Sequence, residues 1–335
     1  MKSYEECLRF ISNCIAEYKE NEDKSARELV LKWASQFSDP SFMIKETAFI
    51  MNNFYITKEK EEILIRDHIL STEVLACVGD LTDCSILSVQ DKDKSQSYLA
   101  EKLQNSFRIN YSGIEIPIND ETKKVFIYLD DCLFSGGTLI KDCNHSLLKN
   151  CKNKVIFLYF GAYTQGYKRV IERNEIIKKL MELDSQFFAN YVFENEKKYL
   201  NNDDIFYPKR PTTDNLRHHV LNIDDYYFRE PSSSSVGHVN ISLTETIPIF
   251  SSSENRDKYE NELVEAGVKI RKAYGIESES MNPLGLSPID KLGFGGVLMN
   301  YRNCPNNLPL CFWYGDQLNC DSKWVPLMKR NNHEN

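Results

Sequence analysis

The sequence predicts an α/β protein: a parallel sheet flanked by helices, with a helical N-terminal region and a C-terminal extension. Two observations predict it. Short apolar β-runs at residues 86–89, 125–129 and 155–160 each lead into a loop and then into a helical pattern. Repeated strand–loop–helix units imply βαβ crossovers and a parallel sheet buried on both faces. Ahead of them the spacing of apolar residues is helical, and behind them the serine patches 232–235 and 251–253 read as turns or linkers. The expected division is therefore 1–72, helical; 73–230, the α/β core; and 231–335, an extension packing on that core.

Taken in order, Cys7, Phe10, Ile11, Cys14 and Ile15 mark a first helix. Ser25, with Glu28 three residues on, opens a second that carries Leu29, Leu31, Trp33 and Phe37. Ser38, Asp39 and Pro40 punctuate, and a third helix follows with Met43, Ile44, Ala48, Phe49 and Met51. A fourth centres on Ile63, Leu64, Ile65 and Ile69. Structural packing accounts for this region; a winged-helix DNA reader would need a basic recognition stripe that it lacks. In the core, the polar loop 90–95 precedes a helix with Tyr98, Leu99 and Leu103, and further helices span about 139–148 and about 167–183. Residues 184–230, rich in Phe, Tyr and Asn, give no clear element. A helix with Tyr259, Leu263 and Val268, a β-like run at 295–299 and an apolar stretch at 308–313 complete the chain.

The 335 residues are 41% hydrophobic and 27% charged, with a net charge of −8, which disfavours binding along a nucleic-acid backbone. Ten cysteines lack any CxxC spacing and read as free thiols in a reducing cytoplasm rather than as a zinc site. No apolar run approaches the ~20 residues that cross a bilayer, and the N-terminus does not read as a signal peptide.

One stretch carries chemistry. Residues 125–139 read VFIYLDDCLFSGGTL. The apolar half makes a buried strand. Asp130 and Asp131 stand at its end, three residues turn the chain, and Ser135, Gly136, Gly137 and Thr138 open a helix. A phosphate seeks several N–H donors at a helix N-terminus, and glycines let the backbone come close to it. Ser135 and Thr138 add hydroxyls. Two adjacent carboxylates suit the 2′- and 3′-hydroxyls of a ribose, and balance the Mg²⁺ that a diphosphate requires.

This ordered set resembles the phosphoribosyl-diphosphate (PRPP) signature of type I phosphoribosyltransferases. The resemblance implies ribose contacts and metal contacts from Asp130 and Asp131, and 5′-phosphate contacts from Ser135, Gly136, Gly137 and Thr138. It also implies a diphosphate loop after the first core strand, where Lys92 and Lys94 are available. That loop carries no Arg-Gly or Gly-Gly pair; otherwise it reads as a solvated charge run. Any reaction would break or make a bond at ribose C1′ through an oxocarbenium-like transition state, with Mg²⁺ on the diphosphate. A general base is not visible; residues 163–167 and His218 with His219 are guesses.

The tail resembles a narrower group. Residues 305–309, PNNLP, followed by Trp313, look like the tail of phosphoribosyltransferase-like proteins of bacterial conflict systems. Trp33 before Gln36-Phe37, and Ser95-Gln96 at the start of the first core helix, fit the same group. This implies an effector or sensor in anti-phage defence, in some cases beside a retron reverse transcriptase, with PRPP or a nucleotide as ligand. The alternative is a catalytically inactive nucleotide-binding or interaction module that docks a reverse transcriptase, nucleic acid or a copy of itself. Residues 303–307 either read a base edge through their amides or form a turn that packs Trp313.

Overall fold

The computed structural model describes residues 3–18, 25–91, 94–111, 113–195, 204–208, 247–287, 292–317 and 323–330. The chain forms two compact units. One contains 59–196, the other 1–58 and 247–335 among its segments. This differs from the three consecutive regions expected: the N-terminal helices and the C-terminal extension belong to one unit, and residues 59–72 go with the α/β unit.

In the first unit, helices α1 (Tyr4–Glu17), α2 (Ala26–Ala34) and α3 (Pro40–Phe54) pack on one another. Their starts are fixed by side-chain caps: Ser3, Ser25 and Asp39 accept the amides of Glu6, Glu28 and Phe42. The short strand β1 (Tyr55–Ile56) follows α3. The C-terminal segment closes on these helices. Trp33 donates its indole N–H to the Cys311 carbonyl at 2.9 Å, and Gln36 exchanges two hydrogen bonds with the Val325 backbone, at 2.9 and 2.8 Å. Trp33, Phe37, Phe312 and Trp324 form one aromatic cluster.

The PNNLP loop is built into the same unit. Asn307 donates its side-chain amide to the Leu286 carbonyl at 3.1 Å, Leu286 donates its N–H to the Asn306 carbonyl at 2.7 Å, and Trp313 donates to the Leu308 carbonyl at 2.8 Å. Of the two readings, turn packing is therefore the one these bonds support.

The second unit holds a four-stranded parallel sheet: β2 (Cys84–Ile86), β3 (Val125–Leu133), β4 (Lys154–Tyr163) and β5 (Gln186–Phe193), side by side in that order. β5 lies in the stretch that gave no clear element from sequence. It carries three phenylalanines and is only partly buried, with Asn190, Tyr191 and Val192 half-buried. A fifth chain segment touches the open side of β2 through a parallel bridge between Ile86 and Ile118.

Helix α4 (Lys58–Leu70) and α5 (Thr72–Val78) precede the sheet. Helix α6 (Ser95–Asn110) joins β2 to the Ile118 segment. Beyond β3 come α7 (Gly137–Asp142) and α8 (Ser146–Lys149), and beyond β4 come α9 (Thr164–Arg173) and α10 (Glu175–Glu182). The long helices expected there are thus split. Asn174 breaks the second, capping α10 by accepting two of its amides.

From β2 the chain moves outward to Ile118; from β3 it moves the other way to β4 and β5. Right-handed crossovers then place α6 on one face and α7 to α10 on the other. The core agrees. Phe126, Tyr128, Phe157 and Phe187 pack with Leu139, Val170, Ile177 and Leu180 of α7, α9 and α10, and no α6 residue joins that cluster. α6 instead meets α4, through Lys102 to Glu62 at 3.4 Å, and Tyr111 just past its end donates to the Ile69 carbonyl at 2.9 Å. The sheet therefore reverses its strand order between β2 and β3. Open α/β sheets bind ligands at the carboxyl ends of strands beside such a switch. No described helix is long and apolar enough to cross a membrane, and no disulfide joins the described cysteines.

Candidate functional site

Two loops leave the sheet at the switch point, one after β3 and one after β2. In the β3 loop, Gly136 takes φ 75°, ψ 0°, the left-handed conformation that a side chain resists. It is buried, and a Cβ there would drive into the Val170 side chain and sit 3.0 Å from the Gly166 carbonyl oxygen. Gly166 of α9 lies so close behind the loop that a Cβ on it would overlap the Phe134 carbonyl. Phe134 stacks on Tyr163 with ring centroids 5.3 Å apart, and Arg169 donates to the Ser135 carbonyl at 3.3 Å. The loop is thus pressed against α9 on its inner side. Its outer side is open: Gly137 and Thr138 are exposed, and a Cβ on Gly137 would meet only Ser135 Oγ, at 3.5 Å.

The acidic pair splits into two unlike groups. Asp131 is half-buried, and its Oδ1 accepts the Cys132 amide at 2.8 Å. Asp130 is 4% exposed. Its Oδ1 accepts the Ser95 hydroxyl and the Asp131 amide, both at 2.9 Å. Its Oδ2 lies 3.4 Å from the Gln90 side-chain nitrogen and 3.5 Å from the Tyr128 hydroxyl. Those two donors bond more closely to Asp142 Oδ2, at 2.8 and 2.7 Å. Burial, then the charges of Asp131 and Asp142, push the Asp130 carboxyl up to about 7, against the pull of the Asp131 amide and the Ser95 hydroxyl. Burial beside the same carboxylates raises the Tyr128 and Tyr159 hydroxyls well above the usual tyrosine range. The Tyr159 hydroxyl has no hydrogen-bond partner among the described residues.

Of the two aspartates expected to ligate a metal, Asp130 has little room for one, whereas Asp131 is half-buried. Asp130 is enclosed, its Oδ1 taken by two donors, and the nearby Asp142 Oδ2 accepts from Gln90 and Tyr128. Among the described residues no group of three or more His, Cys, Asp or Glu side chains is placed to hold a metal ion.

The β2 loop is of another kind. Val89 and Gln90 both donate their backbone amides to Gln96 Oε1, at 2.9 and 3.3 Å, and Gln96 returns its amide to the Leu87 carbonyl. The Ser97 hydroxyl lies 2.8 Å from the Gln90 carbonyl and 3.1 Å from that of Asp91, and Ser88 bonds Ser97 at 3.1 Å. Gln96 is fully buried. The Ser95-Gln96 pair noted in the sequence is therefore a clamp, Ser95 on Asp130 and Gln96 on the loop backbone. Of the expected diphosphate lysines, Lys94 is exposed at the start of α6, and Lys92 lies outside the described residues.

The guesses at a general base fare no better. Tyr163 is buried between Phe134 and Phe193, and Tyr167 packs on Phe187. His218 and His219 lie outside the described residues. Three side chains central to the network, Gln90, Tyr128 and Asp142, were not expected. Tyr128 was the most accessible to inference, since strand alternation puts it on the same face as Asp130.

A model of the PRTase-CE family matches residues 30–330. No curated protein and no solved structure matches the chain.

Proposed function

Because the chain belongs to the PRTase-CE family, we propose that its α/β unit binds a phosphoribosyl ligand, PRPP or a nucleotide, at the loop after β3. One observation carries this reading. Gly137 faces open space, with no protein atom but Ser135 Oγ near a would-be Cβ, so the fold itself does not require glycine there. A ligand oxygen drawn close to the backbone does. In this reading the amides and hydroxyls of residues 135–138 hold the 5′-phosphate. Asp131, half-buried and next in the chain, accepts the ribose hydroxyls. Asp130 is a positioning residue: it holds the Asp131 amide and ties α6 to β3 through Ser95.

Chemistry at C1′ would then rest on orientation of the ribose and on the fixed carboxylates beside it, which favour the developing positive charge of an oxocarbenium-like state. Mg²⁺, if the ligand brings a diphosphate, would come with that diphosphate. The test is incubation of the full chain with PRPP and Mg²⁺, and separately with nucleotides, following release of diphosphate or free base. Turnover that Asp131→Asn lowers supports catalysis. Turnover unaffected by Asp131→Asn counts against the site.

A second reading, binding without turnover, is favoured by the burial of Tyr163, Tyr167 and Asp130, which withdraws these three from an incoming nucleophile. There a ligand would raise the melting temperature by mass action with no product formed. A role as effector or sensor in anti-phage defence, beside a reverse transcriptase, is supported by the resemblance of the tail and of Ser95-Gln96; co-purification from cells tests it.

A further inference from the structure

We infer that Arg169 of α9 is a positioning residue for the 5′-phosphate: it draws the Ser135 carbonyl toward the helix, turns the Gly136 amide to the ligand, and sets a positive charge behind the loop. The inference rests on the reading of residues 135–138 as the 5′-phosphate loop, and it gives a role to a residue outside that stretch.

α9 meets the loop along one stripe. Gly166, Arg169 and Val170 share a face of the helix by their spacing. Gly166 lies against the Phe134 carbonyl and Val170 against Gly136, and Arg169 Nη1 donates to the Ser135 carbonyl at 3.3 Å. A Cβ built on Gly166 would overlap the Phe134 oxygen and sit 2.8 Å from its carbon, so that carbonyl points at the helix. Two successive carbonyls, of Phe134 and Ser135, are therefore aimed at α9. The peptides that follow them are trans, and in a trans peptide N–H and C=O point opposite ways. The amides of Ser135 and Gly136 are thus turned away from α9, toward the open side of the loop. Neither finds an acceptor among the described residues. Glycine gives the Ser135–Gly136 peptide freedom to turn over, and a donor on its carbonyl holds it in the orientation that offers N–H to a ligand.

The charge of Arg169 is otherwise unmatched. The residue is half-buried, makes this one hydrogen bond, and pairs with no carboxylate among the described residues. A phosphate reaching the loop comes beside Asp131 and, deeper, Asp130, and carboxylates repel it. Backbone amides carry only partial charge. A whole positive charge behind the same peptide offsets the repulsion without taking up an amide.

Equilibrium binding of ribose 5-phosphate to the full chain, with thermal melts alongside, tests this in the parent, in Arg169→Gln and in Arg169→Lys. Arg169→Gln should weaken binding about tenfold or more at an unchanged melting temperature. Arg169→Lys keeps the charge and one donor, enough for the single bond seen here, and should bind within about threefold of the parent. Parent-like binding by Arg169→Gln overturns the inference and leaves the 5′-phosphate loop standing. A loss as large in Arg169→Lys as in Arg169→Gln, with or without a lower melting temperature, also overturns it, because the cation is then not what acts. No binding by the parent overturns the loop assignment itself. The peptide can also be watched directly. Ser is followed by Gly only at 112–113 and 135–136, so cell-free labelling with carbonyl-¹³C serine and ¹⁵N glycine reports the Gly136 N–H as one of two signals. One signal should move when ribose 5-phosphate is added to the parent, and the same signal should already be displaced in ligand-free Arg169→Gln. Identical ligand-free spectra of the two proteins would mean that Arg169 does not set this peptide, and the inference falls.

Discussion

The loops after β2 and β3 leave the same sheet at neighbouring strand ends, yet they treat their backbone in opposite ways. The β2 loop turns its amides inward onto Gln96 and its carbonyls onto Gln96 and Ser97. The β3 loop is buttressed from behind, by Gly166, Val170 and Arg169, and presents Gly137 and Thr138 outward. The described part of the first loop bonds back onto its own side chains, and the second keeps an exposed glycine face. Backbone amides taken by the chain's own groups are not available to a ligand, and on the reading proposed above the exposed glycine turn of the second loop is where a phosphate would be held.

The sharpest way to break this comparison is to add a single methyl group at each glycine of the β3 loop. Gly136→Ala forces a side chain into the left-handed region and into Val170, and should cost about 1–3 kcal/mol of stability. By displacing the loop it should also weaken phosphoribosyl binding on the order of 100-fold. Gly137→Ala meets open space. It should leave the melting temperature unchanged while binding falls by a comparable factor. Thermal melts with titration of a nucleoside monophosphate separate the two. If Gly137→Ala binds as the parent does, the open face is not where the phosphate sits.

Much of this contrast was readable in the sequence, and the part that was not has a physical reason. Residues 125–139 announce themselves because an apolar run, an acidic pair and a glycine turn are contiguous. Asp142 did not, because an aspartate on a short helix looks like a solvated charge until Tyr128 and Gln90 are seen to converge on it from β3 and the β2 loop. β5 was obscured because its buried residues do not alternate: Phe187, Phe188 and Ala189 are consecutive and buried, while Asn190, Tyr191 and Val192 are half-buried. The pairing of Trp33 with Cys311, and of Gln36 with Val325, links residues more than 275 positions apart. No local periodicity records such a contact, so the helical N-terminus and the extension were read as separate regions.

The next test concerns the acidic pair, the hinge between the two loops. Asp131→Asn keeps the shape and removes the charge that the ribose hydroxyls would meet. The expected loss is about tenfold in nucleotide affinity, the size of one charge-assisted hydrogen bond, with little change in melting temperature. Asp130→Asn should act differently, because that carboxyl touches protein on every side. Its effect should appear in stability and its pH dependence more than in affinity. Equal affinity losses from the two variants would mean that both carboxyls face the ligand, and would remove the distinction between them.

The pH dependence has the smallest expected effect, and its sign can be worked out. Asp130 is raised from 3.8 to about 7, so between those values the folded state holds more proton than the unfolded one. Its contribution therefore falls as pH rises through that window, and is level above it. His68, buried against the Tyr159 carbonyl at 2.9 Å, is lowered from 6.5 to about 4 by burial. There the unfolded state holds more proton, and stability rises with pH across that range. The two groups oppose each other from about pH 4 to 6.5. Removing Asp130 should leave a melting temperature that climbs more steeply with pH than in the parent. Removing His68, as His68→Gln, should leave one that falls from about pH 4 to 7. Melts of the three proteins between pH 4 and 8 check both slopes. Parallel profiles would mean that neither group titrates differently on folding, and that the carboxyl network beneath the β3 loop is open to water.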